Sequence, residues 1–144
     1  MAGIWVIGGA NLDVMATSFK PLVKADSNPG KVTYSVGGVA HNVACNLAKM
    51  GCEVKFISAF SGDAFSEIVR QECIDNHIDL TYSQQFDDYS TSLYLALAEP
   101  NGEMSIAIAD MDILSHLDMD KVVPLLQQMQ EDDLAFIDTN LTEQ

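Results

Sequence analysis

Ile4-Trp5-Val6-Ile7 is an unbroken apolar run, rich in β-branched and aromatic residues, that stops at Gly8-Gly9. A run of this kind reads as a central, buried strand, and such a strand needs helices to cover it. The next stretches supply them. After Gly37-Gly38, the apolar residues Val43, Ala44, Leu47, Ala48 and Met50 recur at helical spacing and Gly51 follows, which predicts a helix over Ala40 to Met50. Glu53 to Phe60 reads as a second strand, Ala64 to Asn76 as an amphipathic helix, and Ile78 to Ser83 as a short extended segment. Strands alternating with helices in this way predict a mainly parallel, doubly wound α/β sheet.

Two segments interrupt the alternation. Asp13 to Lys31 carries Pro21, Pro29, Gly30 and little periodicity, so the expectation is an irregular excursion with a short strand resuming at Val32 to Val36. Leu93 to Leu97 and Met104 to Ala109 flank Pro100-Asn101-Gly102-Glu103, and Asn-Gly between two apolar runs predicts a hairpin. Both segments are expected to stand outside the sheet. Val122 to Met129 then has helical spacing, and Leu134 to Asp138 reads as a buried strand ending in the polar tip Asp138-Thr139-Asn140. No strand sequence follows it, which points to an N-terminal fragment with a bare strand edge, prone to marginal stability or to strand-mediated pairing.

Charge narrows the partners. Twenty-one acidic residues against seven basic ones leave a formal charge of -14 on 144 residues. A surface of that sign repels nucleic acid and anionic lipid, so neither is an expected partner. The apolar runs fall far short of the roughly 20 residues that span a bilayer, and no basic region precedes the first of them, so the cytoplasm is the expected compartment. Three irregularly spaced cysteines (Cys45, Cys52, Cys73) suit reduced thiols.

In open α/β sheets ligands bind beyond the carboxyl ends of the strands, which makes Asn11 and Asp13, just after the first strand, the leading candidates. An amide and a carboxylate two residues apart suit the vicinal hydroxyls of a sugar, and equally an Asx turn that caps the strand. Gly37-Gly38 opens a helix whose free amides suit an oxygen-rich ligand, with Asn42 one turn further on; the same pair also suits close helix–strand packing. Neither G-x-G-x-x-G nor G-x-x-x-x-G-K-[ST] occurs, which excludes dinucleotide and P-loop readings. His41 and Cys45, four apart, are able to share a metal, but Cys52 and Cys73 complete no zinc spacing, so no metal site is expected.

With Asn11-x-Asp13 after the first strand and Gly37-Gly38-x-x-x-Asn42 at a helix start, the chain resembles the ribokinase-like (PfkB) family of sugar and nucleoside kinases over essentially its whole length. Within it, Ala25 to Lys31, Gly37-Gly38-Val39, Asn101 to Met104 and Ile108 to Met111 are most similar to the branch that acts on pseudouridine. The resemblance implies a three-layer α/β/α core with a small β lid, built from about residues 13–36 and 92–109, over residues 1–144 as one part of a kinase domain. It implies that Asn11 and Asp13 hold ribose hydroxyls, that Gly37 and Gly38 offer backbone contacts, that Asn42 binds another sugar oxygen, and that Thr91, Ser92 and Asp110 face the base. It also implies ATP and Mg2+ as cofactors of the full enzyme, a small-molecule nucleoside or sugar as partner, and a homodimer formed through the lid. Val39-Ala40 stands where many sugar kinases have lysine and glycine, and His41 where the pseudouridine branch often has arginine. The family's Gly-Ala-Gly-Asp element, with its catalytic aspartate, is missing, and no glycine follows Gly102. The implied role is therefore the substrate-binding and lid half of a kinase, without the catalytic base or ATP site and inactive by itself; the alternatives are another sugar or nucleoside kinase of the same family, or a non-catalytic sugar-binding or dimerisation module.

Overall fold

The computed structural model describes residues 3–141. Strand β1 (Ile4–Ile7) lies in the middle of a parallel three-stranded sheet, between β4 (Val54–Ile57) and β9 (Leu134–Ile137). Ile4 sits opposite Val54 and Leu134, and Ile7 opposite Ile57 and Ile137. Because side chains alternate along a strand, β1 serves two cores at once. Val6 packs with Val54, Phe56 and Phe136 against helices α1 (Val39–Lys49) and α2 (Ala64–Asp75). Trp5 and Ile7 pack with Ile57 on the other face, against a 3-10 helix (Asp112–His116) and α3 (Met119–Leu126). Helices on both faces give the α/β/α layering expected from the continuous apolar run. Trp5 further stacks on Tyr82 with ring centroids 5.5 Å apart and carries the Lys55 ammonium 4.3 Å from its ring.

Helix α1 stops where its sequence demands. Gly51 takes φ 87°, its amide donates to the Ala48 carbonyl at 2.9 Å, and the Cys52 amide donates to Leu47 at 3.1 Å, a Schellman closure. Helix α2 starts at a side-chain cap, the Asp63 carboxylate accepting from the Ser66 amide at 2.9 Å.

A second sheet, ordered β3-β2-β7-β8, is made of β2 (Asn11–Ser18), β3 (Gly30–Gly37), β7 (Leu93–Ala98) and β8 (Met104–Asp110). This is the lid, and it corrects the expectation for residues 13–31: the stretch through Ser18 is not irregular but a regular eight-residue strand. Leu12, Val14 and Ala16 alternate with Asp13, Met15 and Thr17, and pairing with β3 on one side and β7 on the other holds that alternation straight. β7 and β8 form the expected hairpin; Gly102 takes φ 85° and its amide donates to Glu99 at 2.8 Å.

Three smaller boundaries also move. The strand expected over Glu53 to Phe60 breaks at Ser58, whose amide turns to the Ser83 hydroxyl, leaving β5 (Ala59–Phe60) to pair with β6 (Gln84–Gln85). Ile78 to Ser83 contributes a single bridge, Lys55 to Asp79, instead of a strand. Helix α3 begins at Met119 because Asp118 caps the Asp120 amide, and it ends at Leu126 with Pro124 inside it. Among the described residues no helix is long and apolar enough to cross a membrane.

Candidate functional site

The parallel strands β1 and β9 both end on the same side of the sheet, and the chain leaves each end through polar or glycine residues. Beyond them opens a cavity of about 450 Å³, within the range that holds a small molecule. Gly9, Ala10 and Asn11 form one wall, and Gly38 and Val39 at the start of α1 form another. Ser92 closes it from the lid, Met111, Leu114 and Ser115 from the 3-10 region, and Asp138 and Asn140 from beyond β9.

Asn11 is buried, and its side-chain amide donates to the Asp13 carboxylate at 2.5 Å. Asp13 stands directly over Gly37: a Cβ built on that glycine would lie 2.1 Å from Asp13 Oδ2. Glycine is required there by the carboxylate itself. Asp13 also faces a shallower depression with Thr33, Tyr34, Ser35 and Tyr94, so the Asn11–Asp13 pair joins the cavity to the lid surface. Gly38, at φ 103°, brings α1 so close that a Cβ would meet the Gly9 carbonyl at 2.6 Å. No side chain caps this helix; the Gly9 carbonyl takes the His41 amide at 3.3 Å, and the Val39 and Ala40 amides of the first turn suit a ligand rich in oxygen.

Of the other residues singled out from sequence, Ser92 lines the cavity, and Asn42, Thr91 and Asp110 do not. Asn42 is exposed one turn into α1, with its Oδ1 3.4 Å from His41 Nδ1. Ser92 lines the cavity, and its carbonyl accepts from the Leu12 amide at 2.9 Å. Thr91 is buried but turned away from the cavity, donating its amide at 2.9 Å and its hydroxyl to the Asp63 carboxylate. Burial pushes the Asp63 carboxyl up, but the hydrogen bonds from Thr91 and the Ser66 amide outweigh it and hold the group below its ordinary value. Asp110 is exposed at the end of β8, opposite Leu93.

Asp138 is a member that sequence reasoning passed over. It is 4% exposed, its amide donates to Ile7 at 2.9 Å, and its carboxylate accepts from the Asn140 amide at 3.0 Å. A Cβ on Gly8 would lie 2.4 Å from Asp138 Cβ, so Gly8 is what lets the two strand ends meet. The signal was present: Asp138 follows β9 directly, as Asn11 follows β1, and the same strand-end rule points to both.

A three-layer α/β core, a four-stranded lid and a strand-end cavity bordered by the lid at Asn11 and Ser92 are the parts of a ribokinase-like small-molecule kinase, and the sequence bears this out. Residues 1–138 match the model of the pfkB family carbohydrate kinases, and the chain belongs to that family. It is 32% identical over 139 residues to the pseudouridine kinase of Escherichia coli (strain K12), covering 96% of this chain and 44% of that protein. It is 35% identical over 109 residues to the guanosine-inosine kinase of Exiguobacterium acetylicum, covering 76% of this chain and 36% of that one. Among solved structures, a carbohydrate kinase from Agrobacterium tumefaciens superposes with a TM-score of 0.87 at 30% identity, over 98% of this chain and 46% of that one. The chain thus spans less than half the length of these relatives.

Proposed function

We propose that this chain is the substrate-binding and lid portion of an ATP-dependent kinase that phosphorylates the 5′-hydroxyl of a ribosyl nucleoside, with pseudouridine as the favoured substrate. The observation that carries the reading is the Asn11–Asp13 pair, hydrogen-bonded and seated over Gly37 between the cavity and the lid. A buried amide and a half-buried carboxylate, hydrogen-bonded to each other before a ligand arrives, match the paired donors and acceptors of ribose hydroxyls. The uncapped start of α1 adds backbone amides, and Ser92 approaches from the lid. Asn42, Thr91 and Asp110 would reach a ligand only after the lid or α1 moves. Lid closure over this site would exclude water and orient the hydroxyl to be phosphorylated.

The described residues do not fit a triphosphate. The cavity lining contains no lysine or arginine, and its buried acid, Asp138, opposes phosphate. No phosphoryl-transfer step is therefore assigned to them, and ATP and Mg2+ belong to the proposed whole enzyme. The lid supports the further proposal of a homodimer: Val32, Tyr34, Ile106 and Ile108 are each more than half exposed on its strands.

Isothermal titration with pseudouridine, uridine, inosine and ribose, repeated on Asp13→Ala, tests the reading. Pseudouridine is expected to bind, with Asp13→Ala losing at least about tenfold in affinity, some 1.4 kcal/mol. Preference for inosine would move the substrate to the purine nucleosides, and a folded sample that binds none of the four would overturn the nucleoside reading.

A further inference from the structure

Behind the cavity wall, where α1 crosses α2, three metal-ligating side chains converge that the kinase reading does not use. His41 and Cys45 lie one turn apart on α1, with Cys45 Sγ 3.3 Å from His41 Nε2. Glu72 reaches across from α2, its Oε1 3.9 Å from the same nitrogen, and the three ligand atoms all lie within 4.8 Å of one another. His41 is 1% exposed, yet the strongest partner of its Nε2 is a thiol, a weak hydrogen-bonding group, while the Glu72 carboxylate stands beyond hydrogen-bond reach. A buried imidazole nitrogen pointed at two potential ligands and well satisfied by neither is an arrangement that a cation completes.

We propose that His41, Cys45 and Glu72 bind a divalent cation of borderline softness, zinc above all, which ties α1 to α2. With metal–nitrogen and metal–sulfur bonds of roughly 2.1 and 2.3 Å, a tetrahedral site sets its nitrogen and sulfur about 3.6 Å apart and its nitrogen and oxygen about 3.4 Å apart. The observed 3.3 and 3.9 Å differ from these by a few tenths of an ångström, within the reach of small rotations about the Cys45 and Glu72 side chains. One imidazole, one thiolate and one carboxylate form a mixed donor set that suits zinc better than magnesium or calcium, which prefer oxygen alone. The charges balance: on binding, the Cys45 thiol gives its proton to solvent, and thiolate and carboxylate together offset the two positive charges of the ion. Water fills the fourth position. The Glu72 side chain is 44% exposed, so the ion has a route in from the α2 surface. Gly38, the N-cap of α1, and Val39, its first residue, lie three and two positions before His41 and line the cavity, so the tie would brace that wall.

The test is titration of the metal-free 144-residue chain with Zn2+ against a chromophoric chelator, with Co2+ as a spectroscopic probe. One Zn2+ per chain is expected, and the Co2+ form should show a thiolate-to-metal charge-transfer band. Glu72→Gln, at a partly exposed helix position, should fold normally and weaken Zn2+ at least about tenfold, because loss of even an indirect ligand support costs 10- to 100-fold. Cys45→Ser should abolish the charge-transfer band, whereas Cys52→Ser should leave both band and affinity unchanged. Circular dichroism shows whether the buried Cys45→Ser change has unfolded the chain; if it has, Glu72→Gln decides. Absence of saturable Zn2+ binding, or Glu72→Gln binding as tightly as the wild type, would overturn the assignment.

Discussion

Strand β1 of the core sheet and strand β8 of the lid sheet treat their apolar residues in opposite ways. In the core sheet, Trp5, Val6 and Ile7 of β1 are at most 2% exposed, sealed by helices on both faces. In the lid sheet, β8 is exposed at every position but Ala107, even though its sequence, Met104-Ser105-Ile106-Ala107-Ile108-Ala109-Asp110, is no less apolar. The same β propensity therefore serves two ends. In the core it holds the scaffold together, and along β8 it presents a surface with the pairing pattern of a sheet that no other described element covers.

The contrast is tested first where it is largest. Phe56, fully buried between β1 and the α1–α2 layer, should cost about 3–5 kcal/mol when changed to alanine, whereas Ile108→Ala, 65% exposed on the lid, should stay within about 0.5 kcal/mol. Urea denaturation of both variants measures the pair, and equal losses would mean that the lid face is covered in solution. Next comes Gly37→Ala. Its new methyl would occupy the place of the Asp13 carboxylate, so pseudouridine affinity should fall at least about tenfold, some 1.4 kcal/mol, while the melting temperature changes little. If the lid face is a dimer contact, Ile108→Lys should shift the sedimentation profile toward monomer with no change in far-ultraviolet circular dichroism.

The smallest effect belongs to the junction between the two regions, where Asp63 caps α2 and holds Thr91 at the foot of β7. A carboxyl held below its ordinary value binds fewer protons when folded than when unfolded, so its contribution is complete above the ordinary carboxylate range. It is lost as the pH falls through the lowered value. Asp63→Asn should flatten the acid limb of a stability-versus-pH curve, and Asp63→Ala should cost about 1 kcal/mol at neutral pH through the lost cap.

What could be read from the residues alone follows the range of the forces involved. The start and stop of α1 rest on Gly38 and Gly51, and the hairpin rests on Asn101-Gly102, all settled by backbone geometry within a few residues. β2 was harder to read, because Asp13 and Thr17 look like loop residues until β3 and β7 arrive from distant sequence to pair with them. The break at Ser58 depends on a hydroxyl 25 positions away, at Ser83. Asn11 and Asp13 stood out because a strand end announces a site locally. Asp138 obeys the same rule but gains its meaning only when β9 is placed beside β1. Glu72 carries no sequence signal toward His41, since only the packing of α2 against α1 joins them.

Strand β2 has Leu12, next to its start, in the hydrophobic core and runs out as a middle strand of the lid, carrying Asp13 on the way. Any tilt of the lid is therefore passed, like the throw of a lever, to the very carboxylate proposed to grip the ligand.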